Sequence, residues 1–334
     1  MSIDCLRVSV TDRCNLRCIY CHPLPDCSLT EREFVSRASC PRFEGETPST
    51  IAFEEILHII RLFAECGIRK VRLTGGEPLL RRDIVHLARK LANIAGIEEL
   101  SATTNGVFLE SLAAELKAAG LRRINISIDS IERKTYERMT GFDLLPKVLE
   151  GIHKAIEVGL TPVKINCVVI KGLNDSAEQI TGLAGLSVDL PLAVRFIEYF
   201  PTNQSTRPAA DYVPNPAVLA AIERKYGPLS NIVTSPGNGP AEYFKAPDWA
   251  GTVGFISGRS SDFCPSCSRL RLTSEGKIMP CLYSARAYDL KTLIRNGQSD
   301  RQIRGYLNQI IAEKAGYTKS GSLKEEFTMS KIGG

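Results

Sequence analysis

"LRVSVTDRCNLRCIYC", residues 6–21, decides how this 334-residue chain is read. Leu6, Val8 and Val10 alternate with Arg7, Ser9 and Thr11, the two-residue period of a β-strand with one apolar and one polar face. Directly after it Cys14, Cys18 and Cys21 follow at C-x3-C-x2-C, three thiols on one short loop. The strand pattern recurs in "RKVRLT" (69–74), "EELSATT" (98–104), "RRINISID" (122–129), "PVKINCVVI" (162–170) and "AVRFIEY" (193–199). Helical spacing fills the intervals, as in "TIAFEEILHIIRLFAEC" (50–66), where Phe53, Ile56, Leu57, Ile60 and Phe63 share a face. Six such units predict an α/β fold, a partial β/α barrel short of the eight units that close a full one.

Buried parallel strands usually read as unbroken apolar runs, and a filled barrel core would hold Val, Ile and Leu. Here Lys70, Arg72 and Thr74 alternate with Val71 and Leu73, and Ser101 and Thr103, Asn125 and Ser127, and Lys164 and Asn166 continue the polar set. With the apolar set under the helices, the polar set lines a wet, cation-rich interior suited to a small polyanion. After about 205 the character changes. "PTNQSTRPAADYVPNP" (201–216) is a connector, and the remainder is loop-rich apart from a helical stretch near 215–225. The expected division is residues 1–205 for the barrel and 206–334 for a smaller domain closing its mouth.

Net charge is +5 with acids and bases interspersed, too mild for a nucleic-acid-binding surface. Apolar runs fall short of the ~20 residues of a membrane span, and the start lacks the plan of a signal peptide, so the expected compartment is the cytoplasm. The eleven cysteines are odd in number and do not suggest a disulfide framework. Six form two groups: Cys14, Cys18 and Cys21, then Cys264, Cys267 and Cys281 at C-x2-C-x13-C. Soft thiolates select iron–sulfur clusters or zinc. Closed zinc sites take four ligands, whereas three cysteines on a four-iron cube leave one iron open. For zinc, His22 or Cys27 could complete the first group, but no histidine follows His153 to complete the second. Arg269 and Arg271 alternate after the second pair and point one way in an extended segment.

A C-x3-C-x2-C loop after the first strand of a β/α array resembles the radical S-adenosylmethionine (radical SAM) superfamily, and "LTGGEP" (73–78) resembles its Gly-Gly-Glu segment. "TTNG", "INISIDS", "VKINCVVIKGLND", "RFIEY", "CPSCSRLRLTSEGKIMPCL" and the terminal Gly333-Gly334 narrow the resemblance to the GTP 3′,8-cyclase family, which opens molybdenum cofactor biosynthesis. The resemblance implies a lyase that uses two [4Fe-4S] clusters and SAM. A 5′-deoxyadenosyl radical would take the ribose 3′ hydrogen of GTP, and C3′ would close onto guanine C8. Cys14, Cys18 and Cys21 would hold the SAM cluster, with Tyr20, Gly76, Ser127 and Phe200 at SAM. Cys264, Cys267 and Cys281 would hold the substrate cluster. Arg7, Arg72, Thr103, Lys164, Arg269 and Arg271 would meet GTP, with Lys70 and Arg195 as weaker candidates near the triphosphate. Arg7, Arg269, Arg271, Gly333 and Gly334 would take part in the reaction itself. Implied partners are GTP, an external electron donor, a downstream cyclic pyranopterin monophosphate synthase of the MoaC type, and a second copy of the chain.

The chain departs from the family in three places. His22 and Phe200 stand where the family usually has Met, and residues 24–49, carrying Cys27 and Cys40, are longer than expected. Two other readings fit parts of the sequence: a radical SAM peptide-modifying enzyme with an auxiliary cluster, and a zinc-ribbon nucleic-acid-binding protein. The first usually carries more C-terminal cysteines than the three here, and the second would hold zinc without iron.

Overall fold

The computed structural model describes residues 3–21, 50–201, 205, 207–232, 239–261, 267–282, 284 and 286–315. His22, Cys27, Cys40, the 24–49 segment, Cys264, Gly333 and Gly334 lie outside the described residues.

The six expected strands form: β1 (Cys5–Ser9), β2 (Lys70–Thr74), β3 (Glu99–Thr104), β4 (Arg123–Ser127), β5 (Val163–Val169) and β6 (Leu192–Glu198). Between them run α1 (Phe53–Glu65), α2 (Ile84–Ala92), α3 (Leu109–Ala118), α4 (Arg133–Thr140), α5 (Leu145–Glu157) and α6 (Ala177–Asp189). All six strands pair in parallel in sequence order, as crossover helices require. The helix faces follow the apolar spacing. Ile56, Ile59, Ile60 and Phe63 of α1 are buried, and the Glu55 carboxylate caps its start by accepting from Ala52 N at 2.8 Å. α4 ends at Gly141, whose φ of +84° supplies the left-handed turn for the chain to reverse.

The later region continues the same sheet. It contributes α7 (Asn215–Tyr226), β7 (Ser230–Ile232), β8 (Glu242–Lys245), β9 (Thr252–Ile256), β10 (Arg269–Leu272), β11 (Lys277–Met279), β12 (Tyr288–Asp289), α8 (Leu290–Arg295) and α9 (Asp300–Ala315). β9 adds in parallel to β6 and β10 adds in parallel to β1, so this region extends the wall at both ends. The sheet order is β12-β11-β10-β1-β2-β3-β4-β5-β6-β9-β8-β7, and its end strands are not paired to each other among the described residues. The result is an open barrel of eight parallel strands fringed by antiparallel hairpins. Outward-facing Leu6, Val8, Val71, Leu73, Ile124, Ile126, Ile165 and Val194 pack with the helices into one core. The polar set is left to the interior. Among the described residues no helix is long and apolar enough to cross a membrane.

Candidate active site

Sites in parallel β/α arrays form at the carboxyl ends of the strands. The loop after β1 crosses that end, and its backbone is strapped to α4 by Arg17 N donating to Thr140 O at 2.8 Å and Ile19 N to Met139 O at 3.0 Å. Cys14, Cys18 and Cys21 share one neighbourhood. Burial pushes the Cys18 thiol up, and Cys14, Asp129 and Cys21 push it the same way. Leu16 N donates to Cys14 Sγ at 3.4 Å, and Asn105 Nδ2 lies 3.9 Å from the same sulfur. Amide donors to a buried thiol stabilise its thiolate form, as iron–sulfur ligation requires. Among the described residues no three Cys, His, Asp or Glu side chains converge on a point that a single metal ion could occupy. Three soft thiol donors on one loop, with amide donors at Cys14, are a set that suits an iron–sulfur cluster.

The Gly-Gly-Glu segment supports this loop through its backbone. Gly76 N donates to Thr11 O at 2.8 Å and Glu77 N to Arg13 O at 2.7 Å. A Cβ on Gly76 would stand 2.2 Å from Arg13 O, so glycine is needed there for chain to meet chain. Glu77 is buried and accepts from Thr104 Oγ1 at 2.6 Å, Asn105 N at 2.6 Å and Leu79 N at 3.0 Å. Burial raises its carboxyl to about 7 against those donors. Asn105 in turn donates to Asn15 Oδ1 at 2.7 Å, closing a path from β2 through β3 to the cysteine loop. Tyr20 is fixed in the same way: its hydroxyl donates to Asp129 Oδ2 at 2.6 Å, and Asp129 also accepts from Val168 N at 2.8 Å. Ser127 and Phe200 sit at the ends of β4 and β6, on the same rim.

Below the rim the interior is strongly cationic. Arg7 is in register with Arg271 on one side and Arg72 on the other. Burial and the charges of Arg271, Arg72 and Arg269 hold the Arg7 pKa well below the usual arginine value. Lys164 is lowered to about 7 by burial, then by Arg195, Arg123 and Arg72. Arg195 is lowered to about 10, chiefly by burial. Neighbouring strands brace this set with neutral groups: Arg72 Nε donates to Ser101 Oγ at 3.2 Å, and Thr103 accepts from Asn125 Nδ2 at 3.3 Å. Lys70 differs. It opens β2 at the opposite end of the strand, and its ammonium is tied to Asp4 at 2.7 Å.

Of the second cysteine group, Cys267 and Cys281 are described. Burial pushes the Cys267 thiol up, but Arg269 and Lys314 more than reverse this and leave it lowered. Arg269 Nε lies 3.4 Å from its sulfur. Glu198, at the end of β6, gathers residues from two later segments. Its buried carboxylate accepts from Ser260 Oγ at 2.6 Å, Ser260 N at 2.8 Å, Arg259 N at 2.9 Å, Tyr212 Oη at 3.1 Å and Asn215 N at 3.3 Å. Glu77 belongs to the Gly-Gly-Glu segment, whereas Asn105, Asp129 and Glu198 lie inside other stretches that carried the family resemblance with no local signal to single them out.

Comparison with known proteins agrees with this geometry. Residues 8–184 match the family model described as the radical SAM superfamily, and residues 192–320 match Molybdenum Cofactor Synthesis C. A GTP 3′,8-cyclase of Pelotomaculum thermopropionicum is 42% identical over 99% of this chain and 98% of its own length. One of Petrotoga mobilis is 43% identical over 85% of this chain and 82% of its own length. Among solved structures, Streptococcus suis SuiB bound to S-adenosylmethionine superposes with a TM-score of 0.58 at 16% identity, covering 92% of this chain and 68% of that one. That similarity concerns the fold.

Proposed function

Since the chain belongs to the GTP 3′,8-cyclase family of radical SAM enzymes, we propose that its barrel binds GTP by the triphosphate and presents the ribose to SAM held at the cysteine loop. The reaction is the cyclisation of GTP to 3′,8-cyclo-7,8-dihydro-GTP, the first step of molybdenum cofactor biosynthesis. The observation that carries this reading is an interior lined by Arg7, Arg72, Lys164, Arg195, Arg269 and Arg271, directly under the three-cysteine loop. Such a cluster of like charges is costly in the empty chain, and a bound polyanion relieves it.

Cys14, Cys18 and Cys21 would hold the first cluster, and Cys264, Cys267 and Cys281 a second. When bound, the first cluster and SAM supply the 5′-deoxyadenosyl radical that removes the ribose 3′ hydrogen. The chain's part is orientation. Tyr20, Gly76, Ser127 and Phe200 frame the SAM pocket, and the barrel cations fix the phosphates so that C3′ faces the radical. Ring closure from C3′ to C8 then takes one electron and one proton, leaving an isomer of GTP. Arg269, whose Nε lies 3.4 Å from Cys267 Sγ, and Arg271 on the same strand would meet the guanine end beside the second cluster, with Gly333 and Gly334 taking part in the reaction. Lys70, committed to Asp4, is the weakest member of the phosphate set. The boundary between the two regions is placed at 205, and the compartment is the cytoplasm. An external reductant, a MoaC-type synthase acting next and a homodimer complete the proposed setting.

Lys164 makes GTP binding pH-dependent. With a pKa of about 7 in the empty barrel it loses charge as pH rises, while the bound triphosphate favours its charged form. Binding above pH 7 therefore takes up a proton, and GTP affinity should fall by up to about tenfold per pH unit between pH 7.5 and 9. Lys164→Met should bind more weakly and lose that slope; isothermal titration across the range reads both.

The decisive label is deuterium at the ribose 3′ position. Incubated anaerobically with reductant and SAM, the enzyme should move it from GTP into 5′-deoxyadenosine. Deoxyadenosine formed without label would contradict the proposed geometry.

A further inference from the structure

One register row of the barrel wall runs Asn166, Arg195, Gly254 and Tyr243 across β5, β6, β9 and β8. Residues in register share a face, so this row looks into the interior. Arg195 is 6% exposed, and its Nη2 donates to Asn166 Oδ1 at 2.5 Å. On its other flank Gly254 leaves room for the Tyr243 ring. A Cβ there would lie 2.9 Å from the ring's Cδ1 and Cε1 and 3.3 Å from Cγ of Arg195. The same ring lies beside the Lys164 ammonium, 5.8 Å from Nζ to the centroid.

A buried guanidinium ordinarily finds a carboxylate. Among the described residues Arg195 forms no ion pair, and the groups that favour its charged form are an amide and a phenol. The barrel treats its lower cations differently, pairing Lys70 with Asp4 and Arg123 with Glu99. The chain thus has carboxylates available for interior cations and does not spend one on Arg195.

We propose that Asn166 and Tyr243 are positioning residues that aim Arg195, with Lys164 beside it, at the substrate's phosphates without neutralising its charge. This rests on reading the barrel as a triphosphate site, and the test separates the two claims by using inorganic tripolyphosphate alongside GTP. Asn166→Asp keeps the shape of the side chain and turns the 2.5 Å contact into an ion pair. It should unfold at the same or a higher temperature, yet weaken tripolyphosphate and GTP binding by about ten- to a hundredfold. Tyr243→Phe keeps the ring and loses the phenol, and should weaken both by about threefold to tenfold. If the native chain binds tripolyphosphate as tightly as GTP and Asn166→Asp loses both, the positioning role stands and the nucleotide reading fails. Native affinity for both ligands in Asn166→Asp overturns the proposal, as does a native chain that binds neither.

Discussion

In Gly76→Ala, iron content is expected to fall from about eight to about four per chain, and SAM cleavage by at least about a thousandfold. The added methyl would lie 2.2 Å from Arg13 O, 2.5 Å from Arg13 C and 2.8 Å from Asp12 O. All three are backbone atoms of the lead-in to Cys14, so no side-chain rotation relieves the clash. The strand beneath holds its place by pairing with β1 and β3, so the cysteine loop is what moves. The hydrogen bonds that Gly76 N and Glu77 N donate to Thr11 O and Arg13 O would break, and the three thiols would lose their common setting. The second cysteine group lies on a different segment, so the second cluster proposed there would be kept. Iron analysis of anaerobically reconstituted protein, with 5′-deoxyadenosine measured by chromatography, reads the effect. Native iron and native cleavage in this variant would refute the role given to the glycine.

Arg7→Met should act in the opposite direction on stability. Arg7 stands between two arginines in register and is buried, so the empty chain bears both its desolvation and its repulsion from Arg271 and Arg72. A flexible apolar side chain of similar length removes those costs. The ligand-free variant should melt about 2–4 °C higher, while kcat/KM for GTP falls by about a hundred- to a thousandfold. A loss of stability with unchanged turnover would make Arg7 a structural residue. The pairing of the two effects matters, because a residue kept against stability is kept for function.

Much of this was legible in the sequence because the signals were local. Alternation at Arg7, Arg72 and Lys164 puts these cations, together with Thr103, on the interior face, and those positions are interior in register. The spacing of Cys14, Cys18 and Cys21 fixed the loop. What escaped depends on long-range pairing. β9 and β10 are short, ordinary-looking strands whose value lies in joining β6 and β1, far away in the chain. The row from Asn166 to Tyr243 exists only because four strands align, and Glu198 gains meaning only when residues 259 and 260 return to it. The later region reads as loop-rich, and its addition of strands to both barrel edges has no local signal. Lys70 looked equivalent to Arg72 by alternation, but Asp4 claims it at the strand's start.

The barrel is proposed to hold GTP beneath SAM and to close C3′ onto C8. Anaerobic turnover of the reconstituted, reduced enzyme with SAM and GTP tests it most directly, with products separated and weighed by mass spectrometry. The expected product is an isomer of GTP, carrying its triphosphate, formed together with 5′-deoxyadenosine and methionine. Deoxyadenosine with GTP recovered intact would contradict it.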